Sequence, residues 1–264
     1  ILKGTVSWSS YGMMSNDKEG YMKDLPVIQS LWIGEKLSKM EQLCISSFLH
    51  NGHPFHLYVY DDVAGLPEGA VLKDASKIIH PDGIFKYKDH DSYAGFSNIF
   101  RYKLLLEKGS YWVDTDVICL NPFIHDAEYV FASERLLQPT PDKRIKVATC
   151  LMKAPIGSSI LDYCYSESAN KNPELLKWGQ TGPLLLTEAI IKYNMWSSVA
   201  EPEVFCPINW WEWNHFIDEG ADQKLIGAQA VHLWNEMWRR NNTDKSGSFH
   251  ESSIYEQLKT NYMK

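Results

Sequence analysis

Between residues 25 and 114, short apolar runs alternate with capped stretches of helical period, and few architectures accept that alternation. "LPVIQSLWIG" (25–34) reads as a buried strand ending at Gly34, and "FHLYVY" (55–60) as a second one closed by Asp61 and Asp62. Between them, "SKMEQLCISSFLHNG" (38–52) opens with the S-x-x-E capping box of Ser38 and Glu41 and closes with Gly52. "SNIFRYKLLLEKG" (97–109) has Ser97 as a cap and Gly109 as a stop, and it feeds the strand "YWVD" (111–114). Strands separated by helices pair in parallel, so the pattern predicts an α/β fold with a mostly parallel, doubly wound sheet. Further strands are expected at 129–134 and 145–152, and helices near 157–169 and 182–195. The segment 61–92 is rich in turn residues and has no assignment, and the last 60 or so residues are less regular. Five of the ten tryptophans lie between Trp210 and Trp238.

The 264 residues are 44% hydrophobic and 22% charged, enough for one large core. An excess of 33 acidic over 26 basic residues argues against a nucleic-acid partner. The five cysteines are scattered and none forms a C-x-x-C pair, which points to neither a disulfide framework nor a zinc site. They favour a reducing, cytoplasmic setting, at the inner face of a membrane or away from it. A secretory lumen stays open if a segment precedes Ile1. No signal peptide is evident and no apolar run nears the ~20 residues of a membrane span.

The stretch "GSYWVDTDVICL" (109–120) ends an apolar strand on two aspartates, Asp114 and Asp116. Carboxylates are poor strand formers and costly to bury unpaired. If the strand continued through them, both would project to one side, at the carboxyl end where open α/β sheets hold ligands. A hard cation between them would relieve their repulsion, and such ions are held by one or two carboxylates plus substrate phosphates. A bare D-x-D is more often a pair of solvated turn aspartates, or a cap on the next element.

The surroundings extend the pattern. "SNIFRYKLLLEKGSYWVDTDV" resembles the "SD-x-x-RY … GG-x-Y-x-D-x-D" signature of GT-A glycosyltransferases, with Ser97, Arg101, Tyr102, Gly109, Asp114 and Asp116 at its positions. The nearest likeness is to the family with the DXD sugar-binding region. It includes initiating mannosyltransferases of the yeast type, α-1,4-galactosyltransferases and, more distantly, the clostridial glucosylating toxins. "LPVIQSLWIG", "TGPLLLTEA" (181–189) and "AVHLWNEMW" (230–238) resemble the family's opening, T-G-P and closing blocks, in order. The sequence departs from the pattern at Gln29, Asn98, Ser110 and Met237.

The resemblance implies one GT-A domain over 1–264, with a nucleotide-sugar half at 1–120 and an acceptor half with a closing segment at 121–264. It implies a metal-dependent transferase, retaining in stereochemistry, that moves a sugar from a nucleotide donor, UDP-linked by preference, to a hydroxyl of a glycan or other acceptor in polysaccharide or glycoconjugate synthesis. Mn²⁺ or Mg²⁺ would be held by Asp114, Asp116 and His232; imidazole with carboxylates suits Mn²⁺ better. Trp32 would stack on the base beside the backbone of Leu31. Asn98 and Ser97 would lie near the donor sugar, and Arg101 would reach the sugar or its diphosphate. Gly182 would sit at a helix start beside the donor, and Gln180 near the reacting carbon. The indole N–H groups of Trp234 and Trp238 would donate to the leaving phosphate, and Arg239 and Arg240 would do so with charge or stay solvated. Trp112 reads equally as pocket wall and as core, and "NWWEWNHF" (209–216) equally as acceptor platform and as core. A nucleotide-sugar hydrolase, and a sugar-binding module that uses the tryptophans, remain as other readings.

Overall fold

A computed structural model of the chain describes residues 25–88, 90–124, 126–140, 143–220 and 225–263. Strand β1 (Ile28–Trp32) is followed by helix α1 (Lys39–His50), β2 (Phe55–Val59) and β3 (Val71–Asp74). Helix α2 (Ala94–Lys108) leads into β4 (Ser110–Val113) and β5 (Val117–Cys119), and then comes a long hairpin of β6 (Val130–Thr140) and β7 (Lys143–Ala154). Helices α3 (Ser159–Ala169), α4 (Leu185–Lys192) and α5 (Pro202–Phe205) precede β8 (Ala230–His232), α6 (Asn235–Arg240) and α7 (Ile254–Tyr262). None of the described helices is long and apolar enough to cross a membrane.

Six strands form one sheet in the order β3-β2-β1-β4-β7-β6. β3, β2, β1 and β4 run parallel, while β4–β7 and β7–β6 are antiparallel. The α/β expectation holds, and at the edge β6 and β7 are antiparallel because a short connection reverses the chain, whereas a parallel pair needs a long crossover. One apolar cluster joins Phe48 of α1, Tyr111, Trp238 and Tyr255; a second joins Phe96, Phe100 and Leu104 of α2 to Leu161 and Leu186.

Two boundaries differ from expectation in ways that shape the site. Helix α2 starts at Ala94, not after Ser97, and Tyr93 stands at its cap without a side-chain bond. Phe96, Phe100 and Leu104 form one apolar stripe, and burying it extends the helix backward by a turn. Ser97 and Asn98 thereby become helix positions facing inward. Strand β4 stops at Val113, and a turn closed by Val117 N–H on the Asp114 carbonyl separates it from β5. β5 leaves the large sheet and pairs with β8 instead. The two aspartates therefore both lie in this turn and do not alternate along one strand. β3 lies within the unassigned 61–92 segment. Val71 and Leu72 on this edge strand are both exposed, so no buried alternation marks it.

Candidate active site

Asp114 is held from behind. Trp112 Nε1 donates to its Oδ1 at 2.9 Å, and Arg101 Nη2 lies 3.0 Å from the same oxygen. Trp112 is two residues upstream on the strand, so it shares the side of Asp114, and it is fully buried. Arg101 is also buried. It donates from Nε to the Ser97 carbonyl at 3.2 Å, from Nη2 to Ser97 Oγ at 3.0 Å and from Nη1 to the Thr149 carbonyl, and its guanidinium lies over the Trp112 ring at 4.9 Å. Burial raises the pKa of Asp114 above the usual carboxylate range, and the Arg101 charge opposes that rise.

Asp116 is held from the other side of the turn. Its Oδ2 lies 3.1 Å from His232 Nε2 and accepts the Asn235 backbone N–H at 2.8 Å. The second bond depends on Trp234, whose left-handed backbone (φ 60°, ψ 50°) turns the chain so that Asn235 N–H faces the carboxylate. Register pairing of Val117 with His232 fixes how far β8 reaches along β5. Burial would raise the Asp116 pKa, but the His232 charge and these hydrogen bonds hold it below the usual value. Burial likewise disfavours charge on His232, and the Asp116 carboxylate outweighs it, so the imidazole is held well above its ordinary pKa.

One ligand atom each from Asp114, Asp116 and His232 lies within 4.8 Å of the others. Asp114 Oδ2 and Asp116 Oδ1 take no part in the bonds above. This oxygen-rich set with one imidazole fits a hard or borderline divalent cation. On the far side of His232, Nδ1 is buried without a hydrogen-bond partner among the described residues, beside the thiols of Cys150 and Cys206, whose sulfurs are 3.8 Å apart. The Cys206 hydrogen bond and burial push the Cys150 thiol up, so it stays protonated.

The three residues open onto a cavity of about 340 Å³, within the range of small-molecule sites. Leu31, Trp32, Ser97, Asn98, Arg101, Trp112 and Trp234 also line it. Trp32 is half-buried, with the Lys245 ammonium 5.5 Å from its ring centre. Lys245 is anchored to the buried Glu41 at 2.5 Å. Asn98 donates to Thr181 Oγ1 at 3.4 Å, and Gly182 packs so close that a Cβ there would meet Asn98 Nδ2 at 2.8 Å. Gly182 thus makes room for Asn98 and does not itself line the cavity.

Other expected contacts are spent elsewhere. Gln180 does not line the cavity; its Oε1 accepts the Lys177 N–H at 3.1 Å and closes its own turn. Trp238 is wholly buried, donates to the Leu233 carbonyl at 2.8 Å and packs on Tyr255, so it has no N–H for a phosphate. Trp234 lines the cavity, but its Nε1 donates to the Ile208 carbonyl at 2.8 Å. Arg101 lines the cavity and clamps Asp114, with all three nitrogens engaged by protein. Arg239 and Arg240 both bind Glu236. The tryptophans of 209–216 line no part of this cavity; Trp213 packs on Trp238.

The cavity includes residues that the sequence did not single out: Tyr87, Tyr93, Glu134, Thr149, Trp178 and Glu236. Trp178, 40% exposed, stands at the mouth between Tyr87 (ring centres 5.2 Å apart) and His90 (5.1 Å), with the Arg240 guanidinium at 5.5 Å. Glu236 falls in the closing block without being singled out there; the others come from loops or strands whose distance from Asp114 only the fold sets.

Residues 157–262 match the model of the alpha 1,4-glycosyltransferase conserved region. Over this stretch the chain is similar to the glycosyltransferases. The match takes in the T-G-P and closing blocks with His232, and it leaves out the D-x-D turn. Lactosylceramide 4-alpha-galactosyltransferase of Pongo pygmaeus is 32% identical over 74 residues, 22% of this chain and 34% of that protein. The Homo sapiens protein of the same name is 34% identical over 74 residues, 22% of this chain and 21% of its own length. The chain thus matches about a third or less of the length of these relatives. Among solved structures, the PaToxG glycosyltransferase shares 18% identity with a TM-score of 0.44, over 64% of this chain and 70% of that one.

Proposed function

We propose that this chain transfers a sugar from a UDP-linked donor to a hydroxyl of a carbohydrate acceptor, with the help of a divalent cation and with retention of configuration. The observation that supports it best is the convergence of Asp114, Asp116 and His232 within 4.8 Å at one cavity. The curated relatives are named for α-galactosyl transfer to lactosylceramide; only the class, hexosyl transfer to a sugar hydroxyl, is carried over here.

Asp114, Asp116 and His232 would hold the cation, Mn²⁺ by preference, and His232 would give up its proton to do so. Bound there, the cation would offset charge on the leaving diphosphate. Arg101 and Trp112 keep Asp114 aimed and favour its ionised form against burial. Asn235 N–H does the same for Asp116. Trp32 offers a ring for the base, and Asn98, held against Thr181, faces the sugar end. The leaving phosphate itself takes the acceptor proton.

The test is release of UDP from a panel of UDP-sugars and methyl glycosides, with Mn²⁺ and with a chelator. Activity is expected only with the cation, and Asp116→Asn should cost about 10²-fold or more in turnover, the scale of one preorganised electrostatic element. Full activity in chelator ends the metal reading. Donor consumption with no glycoside product under any condition would make the chain a nucleotide-sugar hydrolase.

A further inference from the structure

Two carboxylates outside the cation set line the cavity; Glu236 is held by Arg239 and Arg240, and Glu134 is the other. Glu134 lies on β6, two strands from β4, and is only 7% exposed. It is opposite Lys146 in register, and Lys146 Nζ lies 3.0 Å from its Oε1. Among the described residues no hydrogen bond reaches Oε2. Glu134 does not belong to the Asp114–Asp116–His232 cluster. The wall beyond it is made of small side chains, Ala148 and Thr149, and ends at Cys150, whose carbonyl accepts the Asp114 N–H. A space of small side chains thus separates Glu134 from the D-x-D turn.

Burying a carboxylate beside one partly exposed lysine is costly, and the cost is recovered if its open oxygen meets a hydrogen-bond donor. Sugar hydroxyls are such donors. We infer that Glu134 is an acceptor-binding residue, whose open oxygen accepts a hydrogen bond from a hydroxyl of the incoming sugar. The inference rests on the transferase reading above. An ionised carboxylate is acceptor-only, so it selects for hydroxyls that can donate. The Lys146 contact holds one oxygen and draws charge from the other, which suits binding better than attack on the anomeric carbon.

The experiment uses Glu134→Ala, the nearly isosteric Glu134→Gln and Lys146→Gln, each checked by thermal melting. UDP affinity in Mn²⁺, UDP release to water, and transfer to the best methyl glycoside of the panel are measured for each. Glu134→Ala should raise the acceptor KM by roughly ten- to a hundredfold, the range for a hydrogen bond to a charged group. UDP affinity and release to water should stay within about twofold of the parent. Lys146→Gln should keep most of the acceptor affinity, which an ion pair needed only for folding would not allow. An unchanged acceptor KM in both Glu134 variants overturns the inference. So does a parallel loss of UDP binding, which would place Glu134 at the donor. Rescue of Glu134→Ala by azide, with a glycosyl azide of inverted configuration as product, would make Glu134 a nucleophile and overturn it too. If the parent itself transfers to no glycoside, the transferase reading fails first, and Glu134 has no acceptor to hold.

Discussion

Asp114 owes its geometry to two neighbours, and they do different work. Trp112 gives a single N–H from the same strand, whereas Arg101 spans Ser97, Thr149 and Asp114, and so ties α2 and β7 to the turn. A lysine has no planar fork and cannot fill those positions together. Arg101→Lys should therefore lower Mn²⁺ affinity, read as the Mn²⁺ concentration for half-maximal UDP release, by about 10- to 100-fold, as when a partner of a metal ligand is lost. UDP affinity without metal should hardly change. If it falls as much as the metal affinity, Arg101 touches the diphosphate and is more than a clamp. The aspartates were legible in sequence because an acidic pair on an apolar strand is improbable without a partner. Their partners are less so: Arg101 stands in the motif block, where the resemblance points it to the ligand and not to Asp114. Glu134 and Trp178 had no local mark, since a lone Glu on a strand and a lone Trp in a loop are ordinary.

At the scale of elements, the capping box of α1 and the Gly109 stop of α2 formed where the sequence placed them, because both signals are local. The start of α2 and the end of β4 moved because tertiary packing decided them: the Phe96–Phe100 stripe in one case, the exit of β5 to β8 in the other. His53 shows how such joints are locked. It is 1% exposed, donates from Nδ1 to the Pro26 carbonyl at 3.0 Å and accepts the Phe123 N–H on Nε2 at 2.9 Å. That arrangement needs the neutral ring. Burial lowers its pKa from 6.5, and the Pro26 carbonyl opposes the shift only in part. The unfolded chain then binds the proton more readily, so stability is complete above about pH 6.5 and falls as pH drops below it. Urea unfolding of the parent and His53→Gln should show this. The variant should be less stable at pH 7.5 by about 1–3 kcal/mol, having lost a buried hydrogen-bond pair. Its stability should also fall less steeply than the parent's between pH 6.5 and 5. Parallel pH curves would mean that His53 takes up its proton equally in the native and unfolded states.

Over the whole molecule, the cavity is assembled from distant parts of the chain: β1 gives Trp32, α2 gives Asn98 and Arg101, the β4–β5 turn gives the aspartates, β6 and β7 give Glu134 and Thr149, and β8 with the start of α6 gives His232 and Asn235. The chain's last third returns to close it. α7 and the 209–216 segment pack Tyr255 and Trp213 on Trp238, and that packing seats β8 against β5. Such a site exists only when the whole fold does, so a ligand that fills it should stabilise the native state and bind the unfolded chain hardly at all. At a UDP concentration of about 100 times Kd in Mn²⁺, linkage gives roughly 2.7 kcal/mol. For a domain of this size that is a rise in Tm of about 5–10 °C. Mn²⁺ alone or UDP alone should give less, because the diphosphate and the two aspartates complete the cation's oxygen shell only together. Asp116→Asn should abolish the combined shift. It should also lower the Tm of the ligand-free protein slightly, because His232 loses the carboxylate that supports its charge. The measurement is a thermal melt of both proteins with UDP, Mn²⁺, both, and both plus chelator. An equal shift in chelator would mean that UDP is held without a cation. No shift in the parent at saturating UDP and Mn²⁺ would mean that the cavity belongs to another ligand.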